Sequence, residues 1–147
     1  DEGERVLPSS ETFSVKREKA NAATAKLLDV ARGTDTIRIE RARSLNDRAV
    51  ISETVILLRE LFDDFPTVAD VPNNLYNLYA KHWGIRIGRT DEKLKAVPAS
   101  DVDADRLGCA TGTPLLQIER VACDLSGRPV ELRLSRCLTD EFHYSAS

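Results

Sequence analysis

Two arginines that continue an apolar pattern give the first chemical signal in this chain. Ile37, Ile39, Arg41, Arg43 and Leu45 fall at alternate positions, so in a strand they share one face. An unpaired buried guanidinium is costly, so each needs a carboxylate or a bound anion. One pleat apart, about 7 Å, two forked cations suit a phosphate or carboxylate. The plainer alternative is a pair of strand-end arginines that reach solvent or close salt bridges. Glu53 is the converse anomaly, an acid among Ala49, Ile51, Val55 and Leu57. A three-residue turn closing Leu45 on Ala49 sets Glu53 opposite Arg41, as an ion-pair partner or a pocket acid. A two-residue turn sends it to the other face. Asn74 and Tyr76 open a helix, whose free N–H groups and positive dipole end attract anions. The alternative is that Asn74 only caps and Tyr76 only packs. In the last strand Glu131 and Cys137 alternate with Arg133 and Ser135, while Arg136 points the other way with Val130, Leu132 and Leu134. Either face could be the solvated one.

No reaction centre accompanies these residues. His82 falls on a helix stripe as a packing residue and His143 near the terminus, neither with a Ser or Cys partner in a recognisable motif. There is no HExxH, no glycine-rich phosphate loop and no cluster with metal-ligand spacing. Three cysteines, Cys109, Cys123 and Cys137, lack a CxxC and a nearby His, which fits a reduced, cytoplasmic protein. No metal and no cofactor are expected. The residues describe a binding cavity.

The elements that must position them come in two copies. Gly33-Thr34-Asp35-Thr36-Ile37-Arg38-Ile39-Glu40-Arg41 matches Gly112-Thr113-Pro114-Leu115-Leu116-Gln117-Ile118-Glu119-Arg120. After one inserted residue Leu45, Arg48 and Val50 align with Leu125, Arg128 and Val130. A period of about 80 residues is too long for a solenoid and implies two halves of one domain. Strands are expected over 11–18, 36–45, 49–58, 85–97, 114–124 and 129–139, after a polar entry segment over residues 1–11. Helices are expected over 20–32, ended by Gly33, over 73–83, capped by Asn73 or Asn74, and over 101–109, capped by Ser100 or Asp101 and closed by Gly112. Residues 61–65 read as one helical turn. That order gives an α+β domain, a six-stranded antiparallel sheet with helices packed on it. At 147 residues, 41% hydrophobic and 31% charged, the chain can bury a sizeable core. The net charge of −3 argues against a nucleic-acid surface of its own, and no apolar run reaches membrane-span length. The missing initial Met suggests a piece of a longer protein.

These motifs resemble one known family. Ile39-Glu40-Arg41-Ala42-Arg43 followed by Glu53, Asn74-Leu75-Tyr76 opening a helix that ends in Trp83-Gly84-Ile85, the Gly112 to Arg120 stretch, Gly127-Arg128-Pro129-Val130-Glu131 and the tail from Thr139 to Tyr144 occur in the order found in UTRA effector-binding domains of GntR-type transcription regulators, the HutC branch. The resemblance covers nearly the whole chain. It implies a chorismate-lyase-like fold without lyase activity, a pocket for a small anionic metabolite and a homodimer. It also implies operator DNA contact only through an N-terminal winged helix-turn-helix outside this chain. Position by position, it assigns anion binding to Arg41 and Arg43, a pocket acid to Glu53, a polar helix start to Asn74, a pocket aromatic to Tyr76 and a last-strand acid to Glu131. Cys137 stands where the family often has Tyr, and Asn74 where it usually has Ser. Both substitutions turn the expectation from a sugar phosphate toward another anion, such as a carboxylate. The competing expectations are a chorismate-lyase-like enzyme acting on a small anionic metabolite, and a dimerisation module with both arginines paired and no cavity.

Overall fold

The computed structural model describes residues 9–140. The start of the entry segment and the tail from Glu141 through Tyr144, His143 included, lie outside them. Six strands form one antiparallel sheet: β1 Ser9–Lys19, β2 Asp35–Leu45, β3 Arg48–Leu58, β4 Ile87–Pro98, β5 Pro114–Asp124 and β6 Pro129–Cys137. Three helices accompany it, α1 Ala22–Leu28, α2 Leu75–Trp83 and α3 Asp101–Leu107, with 3-10 turns at Arg59–Leu61 and Val68–Asp70. The strand order β1-β2-β3-β6-β5-β4 puts the seam between the halves at β3 and β6.

The repeat holds down to single hydrogen bonds. Ala20 N donates to Thr34 O and Ala99 N to Thr113 O, both at 2.8 Å; Thr34 Oγ1 donates to Ala31 O and Thr113 Oγ1 to Ala110 O, both at 2.6 Å. Each half opens its helix with a side-chain cap, Asn21 Oδ1 accepting from Thr24 N and Ser100 Oγ from Asp103 N. The helix ends differ from expectation. Asp29, at φ 55°, and Gly108, at φ 65°, supply the left-handed caps. Gly33 and Gly112, at φ 89° and 88°, instead turn the chain into the following strand, a conformation that suits a residue without Cβ.

Helices pack on both faces of the central strands, while most of edge strand β4 stays exposed. On one face, α2 sets Leu75 and Tyr79 over Ile37, Ile39, Val55 and Leu57, with Phe62 wedged beside Tyr79. His82 is exposed and does not join this stripe; Trp83 does, stacking on Phe65 and donating to Asp63 O at 2.8 Å. On the other face α1 lies along β6 and α3 along β3, so each half's helix crosses the seam. Leu28 packs there with Ile56, Leu58 and Leu132. Under α3 a polar network runs beside the apolar contacts of Ala104 and Leu107 with Leu115 and Leu138. Asp103 accepts from Ser52 Oγ at 2.6 Å and Arg136 Nε at 2.9 Å, and Glu40 accepts from Arg106 at 2.8 Å and Arg38 at 2.7 Å. The last strand therefore has no solvated face. Among the described residues no helix is long and apolar enough to cross a membrane.

The β2–β3 hairpin reaches the expected pairing by an unexpected route. Its turn has two residues, Asn46 and Asp47, both at positive φ (50° and 63°), and Leu45 pairs with Arg48. A bulge then pairs Arg43 with Ile51 and Ser44 with Ala49, which restores Arg41 to a place opposite Glu53. The extra residue, Val50, accepts from Leu138 N at 2.9 Å and so ties the end of β6 to the hairpin.

Candidate functional site

The covered face ends, beyond α2's apolar contacts, in a cluster of arginines. Arg41 is wholly buried and spends its donors on protein: Nη2 and Nε reach Glu53 Oε2 at 2.6 and 3.1 Å, and Nη1 reaches the carbonyls of Pro72 and Asn73 at 3.3 and 3.2 Å. The pair fixes the loop that precedes α2, and Ser10 N donates to Asn73 Oδ1 at 3.0 Å to fasten the same loop to β1. Burial pushes Glu53 up, but the charges of Arg133 and Arg41 outweigh it and hold the carboxyl below its ordinary value. Asn74 Oδ1 then accepts from Asn77 N at 3.0 Å and starts the helix.

In front of this support lies a cavity of about 500 Å³, lined by Arg43, Asn73, Asn74, Leu75, Tyr76, Arg120 and Arg133. That volume falls in the range of small-molecule sites. Arg120 donates to Glu92 at 2.7 Å, and Arg133 makes two bonds to Glu131, the shorter 2.8 Å. Glu131 is fully buried and also accepts from Tyr79 Oη and, at 3.4 Å, from Tyr76 Oη. The Arg133 guanidinium sits 4.9 Å from the Tyr76 ring centroid. Burial, then the charge of Glu131, raises the Tyr76 phenol above its ordinary value, so at neutral pH it carries its proton.

Arg43 differs from its neighbours. It makes no hydrogen bond or ion pair among the described residues, and its Nε is buried without a partner. Burial lowers its proton affinity, and nearby Arg41 and Arg133 lower it further against the pull of Glu53. The second unsatisfied buried side-chain atom, Ser10 Oγ, belongs to the residue paired with Arg43 across β1 and β2. Another cavity, about 430 Å³ between β1 and residues 59–68, is lined by Val15, Ile37, Phe62 and Phe65 among others and holds neither orphaned atom.

Of the residues singled out in the sequence, Arg43, Asn74 and Tyr76 line the cavity together. The two-arginine clamp does not form, because Arg41 is consumed by Glu53 and the loop carbonyls. Glu53 and Glu131 lie behind the wall as counter-ions. Cys137 is also buried behind it, its thiol pushed up to about 11 by burial and then by the charge of Glu53. Arg120 and Arg133 also line the cavity, and no motif in the sequence assigns either of them a pocket role. A usable signal existed for the first, since the repeat aligns Arg120 with Arg41 on the same alternation, after Ile118 as Arg41 follows Ile39. No three His, Cys, Asp or Glu side chains among the described residues are grouped to hold a metal ion.

Fold and site together define an α+β domain built around a cationic, ligand-sized cavity. The profile of the UTRA domain matches residues 4–143, and the chain belongs to that family. It is similar to the ligand-binding domain of a GntR-family transcriptional regulator from Bordetella bronchiseptica, at 32% identity and a TM-score of 0.92, over 100% of this chain and 92% of that one. Among curated relatives it is similar to the HTH-type transcriptional regulator Rv0792c of Mycobacterium tuberculosis, 28% identical over 49% of this chain and 27% of that protein. A second is the HTH-type transcriptional regulator GmuR of Bacillus subtilis, 30% identical over 48% of this chain and 30% of that protein. The matched stretch thus spans less than a third of either relative's length.

Proposed function

We propose that this chain is the effector-sensing and dimerisation domain of a cytoplasmic transcription regulator, and that a small anionic metabolite in the arginine-lined cavity modulates operator binding. DNA contact belongs to a separate helix-turn-helix domain, as the names of the curated relatives suggest. The ligand acts by binding one arrangement of the dimer more tightly than another. Arg43 carries the reading: a guanidinium without a protein partner, on the wall of a 500 Å³ cavity, is a cation waiting for an anion. The purely structural alternative requires both arginines to be paired and the cavity to be filled. The domain's part is regulatory rather than catalytic, in keeping with relatives that are transcriptional regulators.

Thermal unfolding of the chain against phosphorylated sugars, carboxylates and imidazole-type metabolites, with Arg43→Gln alongside, tests this. A true effector at about 100 times its dissociation constant adds about 2.7 kcal/mol of stability. The expected result is a shift with one class that is lost in the variant. A shift of equal size in Arg43→Gln would overturn the assignment of the site.

A further inference from the structure

The cavity holds more arginine than free positive charge. Arg120 is neutralised by Glu92, Arg133 by Glu131, and Arg41 behind the wall by Glu53. Among the described residues four guanidiniums therefore meet three carboxylates, and the excess charge resides on Arg43. From this balance we infer that the site receives a group bearing one negative charge, a carboxylate or a singly ionised phosphate, and discriminates against a doubly charged phosphate. The inference rests on the effector-binding reading above.

A single negative charge against Arg43 leaves the cluster neutral. A second charge would have to draw Arg120 or Arg133 from its glutamate. Arg133 is locked in place by two bonds to Glu131 and by the Tyr76 ring beneath it. Taking it away would strand Glu131, which has no solvent exposure, with only two tyrosine hydroxyls for partners. Arg120 has more freedom: its side chain is 29% exposed and its bond to Tyr76 Oη is long, at 3.5 Å. It can turn one N–H toward a ligand while keeping Glu92, which adds a hydrogen bond and no free charge. The neutral Tyr76 phenol adds polarity to the wall without competing for the cation. Orientation thus comes from several donors, and charge selection from Arg43 alone.

The test is isothermal titration at pH 8 of the 147-residue chain with two matched sets of probes. The aryl set is benzoate, methyl phenyl phosphate, phenyl phosphate and benzamide. The hexose set is glucuronate, glucose 6-phosphate and glucose. At this pH the phosphate monoesters are almost wholly doubly charged, because their second pKa is about 6. In whichever set binds, the singly charged members are expected to bind at least about tenfold tighter than the doubly charged and neutral ones. Benzoate against methyl phenyl phosphate separates carboxylate from phosphate as the source of that charge. Arg43→Gln should erase the preference for the monoanion over the neutral probe, and Arg43→Lys, which keeps the charge, should retain it. Equal or tighter binding of the doubly charged members would overturn this inference and leave the effector reading standing. Binding of no member of either set, or an Arg43→Gln variant indistinguishable from the parent, would overturn both.

Discussion

Arg41 and Arg120 occupy matching places in the repeat, yet the residues across from them on the seam side are opposite in sign. In the first half Arg41 faces Glu53; in the second Arg120 faces Arg133. Like charges directly opposite on neighbouring strands repel, so Arg120 must find its carboxylate on its other side. It takes Glu92, straight across on the edge strand β4, while Arg133 takes Glu131 from two residues away on β6 itself. The contrast separates two uses of one position. Where the counter-ion lies across on a central strand, the guanidinium disappears into the support, at 0% exposure. Where it lies across on the edge strand, the guanidinium keeps a place on the cavity wall. The surrounding frame is indifferent to the choice, since the turn hydrogen bonds match in both halves.

The most severe way to break this comparison is to remove Glu53. Glu53→Gln leaves Arg41 charged, buried and without its carboxylate, and should cost about 3–5 kcal/mol in denaturant unfolding. The double variant Arg41→Met, Glu53→Met should recover most of that loss, because well-packed apolar residues can replace a buried pair. Acid has the same target. The folded-state carboxyl is held below the ordinary 4.5, so the pair's contribution is complete above that value and is lost as pH falls through the lower folded one. Glu53→Gln should lack that step in a pH titration of stability.

The second half should respond differently. Arg120→Gln breaks a partly exposed pair, and its stability should stay within about 1 kcal/mol of the parent. Its affinity for the probe bound by the parent should fall about tenfold, the worth of one charge-assisted hydrogen bond. A large stability loss with unchanged binding would mean that Arg120 is a support like Arg41. The smallest effect concerns the frame. Asp29 holds the left-handed cap where the second half has Gly108, so Asp29→Gly should raise stability by about 1 kcal/mol, read as a higher melting temperature.

The alternating Ile37, Ile39, Arg41, Arg43 stripe and the Gly33/Gly112 repeat made the sheet and its pseudo-symmetry legible, because strand period and turn chemistry are local properties. The pairing of Arg41 with Glu53 was legible only as a conditional, since a two-residue turn and a bulge at Val50 cancel and neither signs itself in composition. What stayed hidden was which arginine is free. Arg43 and Arg41 share one strand face; what distinguishes them is Glu53, placed opposite Arg41 by the register, and the carbonyls of Pro72 and Asn73, about thirty residues on. Arg133 was obscured because an Arg two residues from a Glu reads as a solvated ion pair until tyrosines from α2 are known to close over it.

The crossing of α1 onto β6 and of α3 onto β3 bears on how the domain comes into being. Neither helix finds its whole seat within its own half, and the central strand pair joins Ile51 to Cys137 and Leu57 to Glu131. Leu28 of α1 can meet Ile56 and Leu58 of its own half early, but its contacts with Leu132 and β6 wait until the far end of the chain has been placed. Distant pairings of this kind slow folding, toward the millisecond-to-second range rather than microseconds. A chain halted after the first half would present β3 as a bare edge, open to another molecule's strand. The same seam makes the halves interdependent once joined: α1 cannot leave its seat without uncovering β6, so the two repeats should melt in a single transition.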